Sequence, residues 1–200
     1  MNFSNRIKKE MSEGVMRALL EDAGYRVVSS GIENMLREVC MLLEENYKRL
    51  GLPVAMRCLP DFSVTDKDLT EHHPVEVKYR TKWDKKVFED LKKQILVLRA
   101  MVVVFIVGEP PKGKHAHNKP SQFLRCCRVR CDDQDHLVIE VTPASGQIEW
   151  VDPQSGAPEA LWWQLAPLQT LFPKIATKRK EQTMTIAFDA LRGDLGGRVG

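Results

Sequence analysis

Apolar residues recur with helical spacing near the start of the chain. Met11, Val15, Leu19 and Ala23 fall on one stripe, with Met16 and Leu20 beside them, which predicts a helix over residues 11–23 that buries one face. Gly24 then supplies a residue that can take the left-handed conformation at a helix end. Residues 25–28 are a short strand candidate. Ile32, Met35, Leu36, Val39 and Leu43 return to helical spacing and predict a helix over residues 31–50, closed by Gly51 and Pro53.

The pattern then changes. Residues 54–64 and 75–79 predict two strands of a hairpin, separated by a polar stretch (65–73) that holds three acids and two histidines. Val87, Phe88, Leu91, Ile95 and Leu98 place one face of a helix over residues 85–99. The run 101–107, MVVVFIV, is unbroken by polar residues, which predicts a central strand covered on both faces. Residues 109–122, rich in Pro, Lys and His, predict a loop. Residues 123–130 and 136–141 predict two more strands around a polar turn, and residues 160–172 and 181–191 two helices before a frayed tail at 193–200.

This order predicts an α/β fold, a mixed central β-sheet flanked by helices. Residues 1–150 would form the core domain, with a helical insertion at about 31–52. Residues 151–200 would add a C-terminal helical extension packed on that core.

Composition removes several classes. Charged residues make up 28% of the chain and hydrophobic ones 43%, a globular profile rather than a disordered one. The longest apolar run, residues 100–107, is far short of the ~20 needed for a membrane helix, and the first residues lack the apolar segment of a secretory signal. Five cysteines without framework spacing point to a reduced, cytoplasmic protein. The total charge of +3 hides a segregation. Residues 78–130 carry 14 Lys and Arg against four Asp and Glu, a local +10 that leaves −7 on the rest of the chain. A phosphate backbone is one partner for such a segment; a solvated basic face is the other explanation.

The residues that carry chemistry lie in the predicted hairpin. In Leu59-Pro60-Asp61-Phe62 a carboxylate interrupts an apolar strand. In Val75-Glu76-Val77-Lys78-Tyr79, Glu76 and Lys78 share one face while the apolar residues take the other. Two carboxylates and an amine can thus converge. Hydrolysis of a phosphodiester needs charge neutralisation, an activated water and a stabilised leaving oxygen, and hard cations held by carboxylates supply much of this. Mg²⁺ takes one or two protein carboxylates and keeps several waters, a count that Asp61 and Glu76 meet. Lys78 is placed to orient or deprotonate the water, or to stabilise developing charge.

Pro60-Asp61 and Glu76-Val77-Lys78 resemble the PD-(D/E)xK motif of the restriction-endonuclease-like nucleases, and the resemblance covers roughly residues 10–108. It implies that Asp61 and Glu76 bind Mg²⁺, with Mn²⁺ as a substitute. It also implies that the Val77 carbonyl is a further ligand and that Lys78 serves the water or the transition state. That family often carries a Glu about three turns before a Gly-Tyr pair. Glu13 stands 11 residues before Gly24-Tyr25 at the flank of the apolar stripe, whereas Glu10 and Glu21 fall near its opposite side, so Glu13 would complete or support the site. A Gln on the following helix is another recurrent feature, and Gln94 is its candidate. Products with 5′-phosphate and 3′-hydroxyl ends follow from the same resemblance.

The implied function is a metal-dependent endonuclease acting on DNA, with RNA left open and a homodimer among the arrangements such nucleases adopt. Tyr79, Arg80, Lys82, Lys85 and Lys86 would contact backbone phosphates, giving affinity without base specificity. His72 and His73, just before the second strand, are placed to approach a substrate or to sit on the surface. The alternatives are a nuclease-fold subunit that binds or assembles without cleaving, and a basic structural protein in which the motif is accidental. Geometry separates the last: carboxylates more than about 8 Å apart cannot share one Mg²⁺ at its ~2.1 Å bonds. Cys126, Cys127 and Cys131 with His115, His117 and His136 lack the spacing of a zinc site.

Overall fold

A computed structural model describes residues 3–31, 49–112 and 122–175. The expected helix over 31–50, most of the loop at 109–122 with His115 and His117, and the expected helix over 181–191 lie outside the described residues.

The first helix, α1 (Phe3–Asp22), begins eight residues earlier than its apolar stripe and ends where Gly24 permits. Gly24 takes φ +86°, its N–H donates to the Glu21 carbonyl at 2.9 Å, and the Tyr25 N–H donates to the Leu20 carbonyl at 3.0 Å. This is the Schellman closure, which satisfies two carbonyls at the helix end. The chain turns at once into β1 (Arg26–Ser29). After a single helical turn, α2 (Val54–Arg57), come β2 (Phe62–Thr65) and β3 (His72–Lys82). The strand expected over residues 54–64 is therefore only four residues long.

The crossover helix α3 (Val87–Leu98) leads into β4 (Ala100–Glu109). Then follow β5 (Leu124–Cys131), β6 (Leu137–Val141) and β7 (Glu149–Val151). All seven strands form one open mixed sheet in chain order. β3 and β4 pair in parallel and every other neighbour is antiparallel. The single parallel pair is the one joined by a helix, since parallel neighbours need a crossover. β4 holds the centre of the sheet, and Met101 to Val107 are all buried, as an unbroken apolar run requires.

Two apolar clusters flank the sheet. On one face Met16, Leu19 and Leu20 of α1 pack on Val64, Val75, Val77, Val104 and Ile106. On the other, Phe88, Leu91 and Ile95 of α3 pack on Val103, Phe105, Val129 and Ile139. This second cluster takes no residue from β1, β2 or β3. The α3-side face of those three strands is left outside both apolar clusters, and the functional candidates lie there.

The single helix expected over residues 160–172 is two short ones. α4 (Pro158–Gln164) places Trp162 in the α3-side cluster, while α5 (Leu168–Leu171) and a 3-10 turn at Pro173–Ile175 join the α1-side cluster. Pro167 divides them because it cannot continue a helix, and the chain crosses there from one face to the other. The expected domain boundary at residue 150 falls inside β7, and the segment beyond it contributes to both cores.

Lys85 ties this segment down. Its ammonium donates to the carbonyls of Gln154, Ser155 and Gly156 at 2.6, 3.2 and 3.0 Å. Lys85→Met keeps the aliphatic stem and removes all three bonds. In water-exposed surroundings the expected cost is about 1 kcal/mol, or a melting temperature lower by about 2–4 °C. Calorimetry of the two proteins checks this, and an unchanged melting temperature would rule the clamp out.

Candidate active site

β2 pairs with β3 only as far as Phe62↔Val75, whereas β3 runs on beside β4 to Lys82. Past Val75 the β2-facing backbone of β3 has lost its strand partner, and side chains take its place. The Val77 N–H donates to Asp61 Oδ2 at 2.8 Å. Because the N–H and C=O of one strand residue point to the same neighbour, the Val77 carbonyl faces the same gap. Asp61 sits just before β2, where its own carbonyl accepts from Ser30 N at 3.0 Å and fixes the turn.

Glu76 closes the arrangement from β3. Its Oε2 accepts from the Asp61 N–H at 3.2 Å and from Gln94 Nε2 at 2.8 Å, while Oε1 accepts from Lys78 Nζ. Gln94 also reaches the Leu59 carbonyl at 3.4 Å, so α3 is fastened across the gap to both halves of the motif. An aspartate oxygen lies at most about 4.5 Å from its own backbone nitrogen. Added to the 3.2 Å contact, this keeps the Asp61 and Glu76 carboxylates under the roughly 8 Å beyond which a common Mg²⁺ is excluded.

Both acids are buried, Asp61 at 8% and Glu76 at 5% exposure. Burial pushes the Asp61 carboxyl well above the ordinary carboxylate range. The negative charges of Glu76 and then Glu13 push in the same direction, opposed by the Lys78 ammonium and the Val77 N–H. Two buried acids with one nearby lysine leave the gap short of positive charge, which is the electrostatic condition a divalent cation would relieve. The donor set of two carboxylates and one carbonyl suits a hard oxygen-seeking ion. No group of three or more His, Cys, Asp and Glu side chains is placed to hold a metal among the described residues.

Glu13 approaches this set from the α1 side. α1 covers the face bearing Val75 and Val77, opposite to that of Glu76, and Glu13 lies 3.7 Å from Lys9 on its own helix. Its negative charge is felt at Asp61, where it raises the carboxyl together with that of Glu76.

The predicted phosphate contacts also divide. Arg80 pairs with Asp90 on α3 at 2.9 Å, Lys82 with Glu109 at 3.4 Å, and Lys86 is exposed at the start of α3. Lys78, Arg80 and Lys82 share the α3-side face by strand alternation. Tyr79 points the other way and packs against the α1-side cluster. The Lys85 ammonium is held by the 154–156 turn.

The two histidines separate as well. His73 faces the α1 side with its ring 5.6 Å from that of Phe172. His72 lies on the α3 side, its Nε2 2.6 Å from the Ser63 hydroxyl, and sequence spacing alone does not tell the two apart. Cys126 and Cys127 are buried, and burial raises both thiols, which makes them packing residues.

Compared with protein-family models, with curated proteins and with solved structures, the chain matches none of them. Among the described residues no helix is long and apolar enough to cross a membrane.

Proposed function

We propose that this protein is a divalent-metal-dependent phosphodiester hydrolase. More narrowly, it is a nuclease of the PD-(D/E)xK type with a restriction-endonuclease-like core, acting on DNA. The observation that carries this reading is the gap between β2 and β3, where Asp61, Glu76, Lys78, the Val77 carbonyl and Gln94 meet. Asp61, Glu76 and the Val77 carbonyl would hold Mg²⁺, or Mn²⁺ in its place. The ion, when bound, would supply charge neutralisation at the phosphate and a more acidic water. Lys78 sits at the rim, 24% exposed, where an ammonium meets an incoming phosphate and stabilises charge on its oxygens. Gln94 holds the Glu76 carboxylate in place and α3 beside it. Half-buried Arg80 and exposed Lys82 and Lys86 support a polyanionic substrate, and the buried free thiols suit a reducing, cytoplasmic setting.

One observation favours a second reading, a nuclease-fold subunit that binds or assembles without cutting. Both Glu76 oxygens are already taken by Lys78, Gln94 and the Asp61 N–H, so this carboxylate is satisfied with no ion. The two readings part on activity. Incubated with Mg²⁺ or Mn²⁺ and a panel of duplex, branched and single-stranded DNA, the wild type is expected to cut at least one substrate that Glu76→Ala leaves intact. A panel that stays whole with both proteins, together with no calorimetric difference in Mg²⁺ binding between wild type and Asp61→Ala, would decide for the second reading.

A further inference from the structure

The nuclease reading leaves open how the substrate lies on the sheet, and on that reading rests the next step. β3 carries His72, Pro74, Glu76, Lys78, Arg80 and Lys82 on one face by alternation, and this face lies outside the apolar cluster that α3 builds over β4 and β5. α3 runs antiparallel beside the strand, since Asp90 meets Arg80 and Gln94 meets Glu76. Asp90 and Gln94 of that helix border this face, whose floor is β3 and β2. The lysine and arginine end of that floor continues past the carboxylates in only one direction.

At the other end stands an exposed Ser63–His72 pair. His72 is separated from Glu76 by four residues of strand, about 13 Å at 3.3 Å per residue, and the Ser63 hydroxyl at 2.6 Å fixes its ring. Ser63 and His72 belong to different strands, so the pair is positioned by the β2–β3 ladder. That ladder's loop is itself pinned by Asp66, whose carboxylate accepts from Thr70 N at 2.7 Å and Thr70 Oγ1 at 2.6 Å. The carboxylate pair therefore lies between two sets of groups that can donate to phosphate.

We infer that a DNA strand runs lengthwise along β3, with Ser63 and His72 binding its backbone on the far side of the carboxylate pair from Arg80 and Lys82. The substrate class that follows is an internal phosphodiester, held on both sides, rather than a chain end. His73, turned against Phe172, takes no part. His72 is a substrate-positioning residue that acts through the backbone, so its contribution carries no base preference.

The test is the affinity of a fluorescein-labelled DNA duplex and single strand, read by anisotropy in EDTA across a salt series. Five proteins are compared: wild type, His72→Ala, Ser63→Ala, His72→Lys, and Gln134→Lys as a charge added on the distant β5–β6 turn. His72→Ala is expected to weaken binding about 3- to 10-fold, and Ser63→Ala by less. His72→Lys should restore or tighten binding and steepen the logarithmic salt dependence by about 0.7–0.9, one released counterion. Gln134→Lys should leave that slope at its wild-type value.

The inference is overturned if His72→Ala binds like wild type, or if His72→Lys is indistinguishable from Gln134→Lys. Circular dichroism of His72→Ala separates lost binding from lost folding, and His72→Lys gives a second, folded probe of the same place. Should His72 prove silent while Glu76→Ala still abolishes cleavage, the nuclease reading stands and the strand path falls. Should the wild type neither bind nor cut, both fall.

Discussion

Glu76→Gln and Lys78→Gln are expected to fail in opposite ways. Glu76→Gln removes one of two carboxylates that would hold the ion, so Mg²⁺ binding and cleavage are lost together. Lys78→Gln keeps both carboxylates and removes the ammonium that now occupies Glu76 Oε1. A cation competing for that oxygen has to be displaced before a metal can bind there, and like charges repel at short range. Lys78→Gln should therefore bind Mg²⁺ more tightly than wild type while cutting about 10²- to 10³-fold more slowly, the usual loss when one group that stabilises transition-state charge is removed.

Calorimetric titration gives the first quantity and single-turnover cleavage the second. The titration is run at mildly alkaline pH, because loss of the Lys78 charge lets the Asp61 carboxyl rise further. Weaker Mg²⁺ binding by Lys78→Gln would contradict the competition between lysine and metal. Unimpaired cleavage by that variant would remove Lys78 from the chemistry.

The second large effect is on stability. Folding raises the Asp61 pKa, through burial first and then the Glu76 and Glu13 charges, so the native state holds this proton more tightly than the unfolded chain does. The contribution is then fully favourable below the ordinary carboxylate pKa and is lost as pH rises through the raised one. Asp61→Asn accepts from the Val77 N–H as the carboxylate does but cannot ionise. In EDTA it should melt higher than wild type at neutral to alkaline pH, with the gap closing toward pH 4.

Magnesium should reverse the order. At about 100 times its dissociation constant a ligand adds about 2.7 kcal/mol to a protein that binds it only when folded, and each kcal/mol moves the midpoint of a chain this size by about 2–4 °C. Wild type should gain accordingly while Asp61→Asn does not respond. Melting both proteins with and without Mg²⁺ between pH 4 and 8.5 checks this. A wild type that is the more stable partner at pH 8 in EDTA would show that the Asp61 charge is compensated in some other way.

Much of the framework was legible in the chain itself. The stripe of Met16, Leu19 and Leu20 with Gly24 after it defines a helix and its end through local periodicity and one backbone conformation. The run 101–107 announces the central strand, because only a position covered on both faces has no use for polar side chains. Glu76 and Lys78 share a face because side chains alternate along any strand. These are local facts, set by covalent geometry and residue type.

What only the tertiary structure decided depends on which distant segments meet. Residues 54–57 fold as a helical turn and leave β2 short, which opens the gap that Asp61 and Val77 fill. Their contact spans 16 positions, and no spacing rule reports it. Glu13, placed near the site by its wheel position, comes from α1 and bears on Asp61 through its charge. Lys85, indistinguishable in sequence from Lys86, is drawn to three carbonyls some 70 positions away. His72 and His73, expected in the loop before the strand, are sent to opposite faces because β3 begins at His72 and side chains alternate along it. The sequence by itself determined α1 and its end, the crossover helix, the central strand and the chemistry available on their faces. The tertiary structure decided which of those groups share a space, because pairing and burial are settled by long-range packing that local pattern does not contain.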